Sequence, residues 1–412
     1  MTPLRSNGST RSPLAVVLSS DAVGLGAVRS LHHGGVPTAV VMMDPWEPVR
    51  ASRYGRKFLV PKTSDPDAAI LDVLTRVDDG QRPVLIPTSD HLTYFVSKHR
   101  SQLEQRFRCC IPPDSAIQVV LDKAKDTALL AGTGIPLPRT VQNLPSSPAE
   151  LIKALGLPLI IKPRTFVDKE NLGWRNVIVR SLHDAEEFYR EGRAQFGSVI
   201  AQELIPGPDD TLWECISLFD DRHEIVRAFT FQKRSTMPAH YGATARGVSK
   251  RSDALIALSA SVGKLLAYSG IADIDVKYDA RDGQFKYLEL NPRLGLCHYF
   301  GTRCGVNLTL DAYRQACGER LPADPGQVDG RTFLAVLEEI GARLQSGDSF
   351  FAVGGGVLKA LAAWPFPVGP YFATNDVLPG PFAVARVGYR LATKAWRGQL
   401  GTVFTKQYEQ GV

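Results

Sequence analysis

The chain has 412 residues, 44% hydrophobic and 22% charged, a globular composition too long for one ordinary core, so roughly two to four domains are expected. Its net charge of +6 suits anionic small molecules, and neither a C2H2 finger pattern nor an RNP-like aromatic strand argues for nucleic acid. Six scattered cysteines without a CxxC, a polar start followed by an apolar run too short for a signal-peptide core, and no apolar run long enough for a bilayer predict a soluble, cytoplasmic protein.

From residue 14 the chain alternates strand and helix patterns. LAVVLS reads as a buried strand, and DAVGLGAVRSLHHGG as a glycine turn leading into a helix that Gly34-Gly35 ends. VPTAVVMM is a second strand, PDAAILDVLTRV a helix, PVLIPTSD a third strand, and HLTYFVSKHRSQLEQRF another helix. This order predicts a parallel α/β, Rossmann-like domain over residues 1–113. Gly24 and Gly26 lack the third glycine of a dinucleotide fingerprint, so the pair reads as a tight turn. Ser20, Asp21, Ser89 and Asp90 fall at strand carboxyl ends, where they fit either substrate contacts or helix N-caps.

Val119 to Ala131 reads as one helix, with Lys123 near its start, a solvated lysine if the helix is read alone. LPLIIKP is a short buried strand ending in Lys162, an unusual place for an unpaired lysine. TFVDKENLGWRN is expected to be a loop and VIVRS a strand. VIAQELIPGPDD follows as a strand and sharp turn, an extended segment whose backbone can offer N–H and C=O to an adenine edge or an ordinary strand–turn. Residues 114–207 form the second predicted unit. TLWECISLFDDRHEIVRAFTFQKRS gives two strands, followed by the basic loop KRSTMPAHYGATARG with Lys233, Arg234 and Arg246, placed to meet an anion or only solvated. Residues 253–269 read as an amphipathic helix.

IADIDVKYDARDGQFKYLELNPRLG then reads as a β-hairpin, two alternating strands around turn chemistry. Pairing Asp275 with Glu289 and Asp273 with Asn291 puts these four and Arg293 on one side, with Ile274, Val276, Leu288 and Leu290 on the core side. Facing carboxylates repel unless a cation lies between them, and carboxylate plus amide oxygens suit Mg²⁺ completed by phosphate. His298 follows, either at the substrate or structural. Residues 208–325 form the third unit. In 326–412, residues 331–346 read as a helix, 349–381 show no clear period, and 382–398 read as a last helix. On that helix Arg386, Arg390, Lys394 and Arg397 share one face, which fits a docked helix with a solvated basic side or an anionic partner such as a membrane surface or a phosphate-bearing precursor.

VKYDARDG…LELNPR resembles the ATP-grasp superfamily, most closely the D-aspartate ligase-like carboxylate–amine ligases, and the order of segments fits over roughly residues 14–320. The resemblance implies an ATP-grasp fold, α+β overall, behind an N-terminal Rossmann-like α/β domain. It implies ATP and Mg²⁺, with Asp275, Glu289 and Asn291 as metal ligands and Lys123 and Lys162 on phosphates. Glu203 to Ile205 would then be the adenine hinge and Asp209 the ribose acceptor, with Asp210 in reserve. The usual glycine-rich flap is reduced here to Gly173, with Lys169 or Arg175 as substitutes. The implied reaction is amide formation through an acyl phosphate, with ADP and phosphate released. Arg293 and Lys233 would meet transferred charge, while Ser89, Asp90, Arg246 and His298 are candidates for substrate. Small-molecule carboxylate and amine partners follow, one of them amino-acid-like; self-association is left open. The alternatives are an ATP-grasp kinase and a non-catalytic nucleotide-binding regulator.

Overall fold

Ala15–Ser19 (β1) is shut off from solvent along its whole length, the burial of an inner strand in a sheet covered on both faces. In the computed structural model, which describes residues 12–77, 81–174, 176–192, 197–240, 242–362 and 365–396, β1 is the centre of a five-stranded parallel sheet. The connections run through α1 (Asp21–His33), β2 (Thr38–Met42), β3 (Arg56–Leu59), α2 (Pro66–Thr75), β4 (Val84–Pro87), α3 (Asp90–Lys98), α4 (Arg100–Leu103) and β5 (Arg108–Cys109). The strand order is β3-β2-β1-β4-β5. Strands β3 and β5 lie outside the sequence reading, and the helix expected over 91–107 is split at His99. The expected glycine turn is also corrected. Gly24 and Gly26 lie inside α1, where a Cβ would come within 2.0 Å of Ser19 Oγ and 2.7 Å of His298 Cε1. They allow close approach of helix to strand and of α1 to a later helix.

The helix expected at Val119–Ala131 is two helices, α5 (Asp114–Val120) and α6 (Lys123–Leu130). Asp122 makes the break. Its carboxylate caps α6 through Ala124 and Lys125 N–H and takes a two-pronged bond from Arg164, both contacts 2.7 Å. A small antiparallel sheet follows, built with β6 (Thr140–Val141), α7 (Pro148–Leu155), β7 (Leu159–Pro163), α8 (Phe166–Leu172), β8 (Val177–Val179), α9 (Leu182–Arg190) and β9 (Val199–Glu203), in the order β6-β9-β7-β8. The expected loop after Pro163 is therefore largely α8, started by a Thr165/Asp168 capping box and stopped by left-handed Gly173. Arg175 lies outside the described residues.

The largest sheet has the order β14-β13-β10-β11-β12-β15. Its elements are β10 (Leu212–Phe219), β11 (Ile225–Met237), β12 (Ala243–Ser249), α10 (Asp253–Leu265), β13 (Gly270–Asp279), β14 (Gln284–Asn291), α11 (His298–Arg303), α12 (Leu308–Ala316) and β15 (Thr332–Leu334). One face buries Trp213, Cys215, Ile274, Val276 and Tyr287 with α5 and α10. The other buries Ile216, Leu218, Phe229 and Phe231 in one continuous core with Leu25, Val28 and Leu31 of α1 and with Phe300. Strand β11 runs to Met237 and β12 begins at Ala243, so the basic loop expected at 233–247 is mostly ladder, and Lys233 is a buried strand residue.

The helix expected over 331–346 is β15 followed by α13 (Val336–Gln345), and the aperiodic stretch holds α14 (Phe350–Ala362). The last helix, α15 (Pro379–Trp396), returns to the N-terminal domain. Fully buried Arg29 of α1 bonds Asp376 Oδ2 at 3.0 Å and the carbonyls of Pro370, Tyr371 and Asp376. Arg386 pairs with Asp21 at 2.6 Å and Arg390 with Asp44 at 3.7 Å. Two residues of the basic face thus meet carboxylates of the N-terminal domain; Arg397 and the side chain of Lys394 lie outside the described part. No helix among the described residues is long and apolar enough to cross a membrane.

Candidate active site

The β13–β14 ladder pairs Asp273 with Asn291, Ile274 with Leu290 and Asp275 with Glu289, as the alternation predicts. Beyond Glu289 the register slips by one residue and Val276 faces Tyr287. Leu288 is the extra residue of this bulge. Tyr287 takes the core place expected for Leu288, and Leu288 turns to the cavity.

Asp273, Asp275, Glu289, Asn291 and Arg293 all line one cavity of about 580 Å³, a volume suited to a nucleotide-sized ligand. It opens where the three sheets meet. The small sheet contributes Lys162 and Glu203, with Leu204 and Ile205 beyond it; the N-terminal domain contributes Ser89 and Asp90; α6 contributes Lys123, and the large sheet Lys233. Twelve of the fifteen candidate residues are on this wall; Asp209, Arg246 and His298 are not. The carboxylate of Asp209 takes Thr236 N–H and Oγ and faces His240 Nδ1 at 2.8 Å. Arg246 faces Glu339 at 3.7 Å. His298 is fully buried against α1, its Nδ1 2.7 Å from the Gly295 carbonyl, and burial lowers its pKa to about 4. These three lie off the cavity wall. Ser89 caps α3, and Asp90 holds Arg293 Nε at 3.0 Å.

The charges interlock. Lys233 Nζ lies 2.5 Å from Asp275 Oδ1 and 3.2 Å from Glu214 Oε2. Burial works against its charge, but Asp275 and Glu214 outweigh that and hold it protonated. Burial raises Asp275 to about 6 against the pull of Lys233. Burial would raise Glu289 too, but Lys123 (3.5 Å away), Lys162 and Arg293 hold it down at about 2. Lys162 donates to Gln202 at 2.9 Å, and burial lowers its pKa. Asp273 lies well above the ordinary carboxylate range through burial, then Glu214 and Asp275.

Two facing carboxylates and an amide oxygen are a hard-oxygen set that fits Mg²⁺ and leaves much of its shell to phosphate or water. Among the described residues no group of three or more His, Cys, Asp or Glu is gathered to hold a metal by itself. At the expected adenine hinge, Leu204 N–H is committed to the Pro158 carbonyl, and Glu203 is tied to Arg139 at 3.0 Å. Glu214 and Gln202 went unread as site residues, though a signal existed for Glu214. It is the one charged residue in the otherwise uncharged buried strand LWECISLF.

No protein-family model matches the chain. It is 23% identical over 318 residues to D-aspartate ligase of Enterococcus faecium (strain Aus0004), covering 72% of this chain and 74% of that one. A 25% match over 191 residues to the carbamoyl phosphate synthase large chain of Methanosarcina mazei covers 44% of this chain but 17% of that protein. Among solved structures, N5-carboxyaminoimidazole synthetase from Staphylococcus aureus complexed with ADP superposes with a TM-score of 0.61 at 12% identity, covering 81% and 86% of the two chains. Biotin carboxylase from Campylobacter jejuni gives 0.60 at 15%, covering 77% and 74%. The likeness in architecture thus extends over 81% of this chain in the first case and 77% in the second.

Proposed function

We propose that this chain, one of the ATP-grasp carboxylate–amine ligases, joins a small carboxylate to an amine while ATP becomes ADP and phosphate, with an amino acid as one of the two substrates. The observation that carries the reading is the convergence in one cavity of Asp275, Glu289 and Asn291 with Lys123, Lys162, Lys233 and Arg293. The amino-acid assignment draws on the likeness to D-aspartate ligase.

The hinge receives the adenine edge, and because Leu204 N–H is occupied, Ile205 N–H is the donor. Lys123 and Lys162 hold phosphate oxygens from two sides. Mg²⁺ would be held by Asp275, Glu289 and Asn291 and would neutralise charge on the β- and γ-phosphates. Arg293, fixed by Asp90, faces the γ-phosphate end and orients the substrate carboxylate for attack on phosphorus. That attack gives an acyl phosphate and ADP. The amine then adds to the carbonyl carbon, and phosphate leaves with an oxygen from the original carboxylate. Arg293 and Lys233 stabilise the negative charge of both steps.

The test is product release with amino acids offered singly and in pairs. ADP and phosphate are expected in equal amounts, and only when carboxylate and amine are both present. Glu289→Gln is expected to lower that rate at least ~100-fold. Because Lys123 and Lys162 lose a partner in this variant, the thermal midpoint should fall slightly, by ~4 °C or less. AMP and pyrophosphate, or ADP release complete with the carboxylate alone, would overturn the reading.

A further inference from the structure

Helix α14 is apolar on two sides, and only one of them is covered. Val353 and Val357 are buried, and Gly356 lies against Arg343 of α13 with no room for a Cβ. On the opposite side Phe351, Gly355, Leu358 and Ala362 follow at spacings of 4, 3 and 4, the period of a single helix face. Phe351 is 94% exposed and Leu358 69%, and a Cβ on Gly355 would meet nothing within 4 Å among the described residues. A helix with apolar residues all round belongs between two layers, and the described chain supplies one.

The charge of the surrounding segment indicates what the second layer is. Lys359, the one charged residue of α14, is exposed at the rim of this face. Residues 349–408 contain six Lys and Arg against one acid, Asp376, which is buried on Arg29. Arg386 and Arg390 meet Asp21 and Asp44, which leaves Lys359, Lys394, Arg397 and Lys406 with no acid in their own segment to balance them. A second copy seated on the same face would bring one basic segment against another. A protein partner is oriented by directional polar contacts, and on this face only Lys359 offers a polar side chain. An anionic lipid surface needs apolar side chains with basic ones beside them and no directional pairing.

We propose that the outer face of α14 is a peripheral docking surface for an anionic lipid bilayer. Phe351 and Leu358 enter the boundary between headgroups and acyl chains, while Lys359 and the other basic residues of the segment meet headgroup phosphates. With 13 residues the helix is about 20 Å long, too short to span, and it lies in the plane of the surface. This goes beyond the ligase reading and does not depend on it, because Phe351, Leu358 and Lys359 are not on the cavity wall.

The test is co-sedimentation of the full chain with vesicles of phosphatidylcholine alone and of phosphatidylcholine with about one third phosphatidylglycerol. The parent should bind the anionic vesicles at least ~10-fold more strongly than the neutral ones, and raising salt from about 0.05 M to about 0.5 M should weaken that binding at least ~5-fold. Phe351→Gln combined with Leu358→Gln should weaken it at least ~10-fold at either salt. Both side chains stand in water, so this variant should keep the parent's thermal midpoint within ~2 °C. Lys359→Gln should cost ~5-fold at low salt and little at high salt, and Lys359→Arg should restore the parent's binding. The contrast between the two vesicles tests the proposal without any variant. No binding to either vesicle, equal binding to both, or parent-like binding by the double variant would overturn it. Self-association that the double variant abolishes, without vesicle binding, would assign the face to a second copy of the chain instead.

Discussion

Glu47 shows how a single residue can couple this fold to pH. It is 3% exposed, its Oε1 accepts Met43 and Asp44 N–H, and its Oε2 meets Ser19 Oγ at 2.5 Å. Burial raises its pKa to about 7, while the unfolded chain keeps it near the model-peptide value. Between the two values the folded state holds a proton that the unfolded state has released, so stability falls as pH rises through this window. Glu47→Gln keeps the backbone acceptor and can donate to Ser19. It is expected to be more stable than the parent at pH 8, by up to ~3 kcal/mol, and equal to it near pH 4.5. Buried His298 has the opposite sign, since its lowered pKa removes stability as pH falls from about 6.5 to about 4, so the check is the difference between variant and parent urea curves across pH. A constant difference at all pH values would refute the assignment to Glu47. Residues of this scale were unevenly legible. Lys162 stood out as a lysine closing an apolar strand, whereas Glu47 sits in a loop whose burial comes from chain far away in sequence.

At the scale of elements, regular alternation was legible and its interruptions were not. The hairpin register follows from period-two patterning as far as Glu289, but Tyr287 and Leu288 are both apolar, so nothing in their order marks the bulge. The capping box opening α8 was written in the chain as Thr165-x-x-Asp168 and overlooked, and Asp122 likewise marked a helix start inside what read as one helix. Helix α14 is masked by a run of three glycines. The strap from Pro370 to Asp376 depends on one buried ion pair, Arg29 with Asp376, whose side chains are 0% and 1% exposed. Asp376→Ala leaves a guanidinium buried with only carbonyls and the Tyr299 ring for company and takes the acceptor from Ser52 Oγ and Arg53 N–H, and a loss of ~3–5 kcal/mol is expected in urea unfolding. Arg29→Met combined with Asp376→Leu should recover part of it, because an apolar pair leaves no uncompensated charge. A loss below ~1 kcal/mol for the single change would mean the strap is held by its backbone bonds alone.

Taken together, the described residues form three sheets that meet at the candidate cavity, and the order of segments along the chain was the most legible feature. The N-terminal parallel domain, the small sheet with Lys162 and Glu203, and the large sheet with the hairpin appear in the sequence as they do in space. The convergence itself was not legible, because Asp90 meets Arg293 across 203 residues and Lys233 meets Asp275 across 42. The core shared by α1, α11 and α12 joins the N-terminal domain to the large sheet and keeps Asp90 on Arg293. The proposed chemistry is activation of a carboxylate in this assembled cavity by transfer of the γ-phosphoryl group. The most direct measurement is turnover with a substrate carboxylate labelled in both oxygens with ¹⁸O, followed by mass analysis of the products. One labelled oxygen in the released phosphate, one in the amide and none in the nucleotide is the expected result; label in AMP, or phosphate without label, would contradict γ-phosphoryl transfer to the carboxylate.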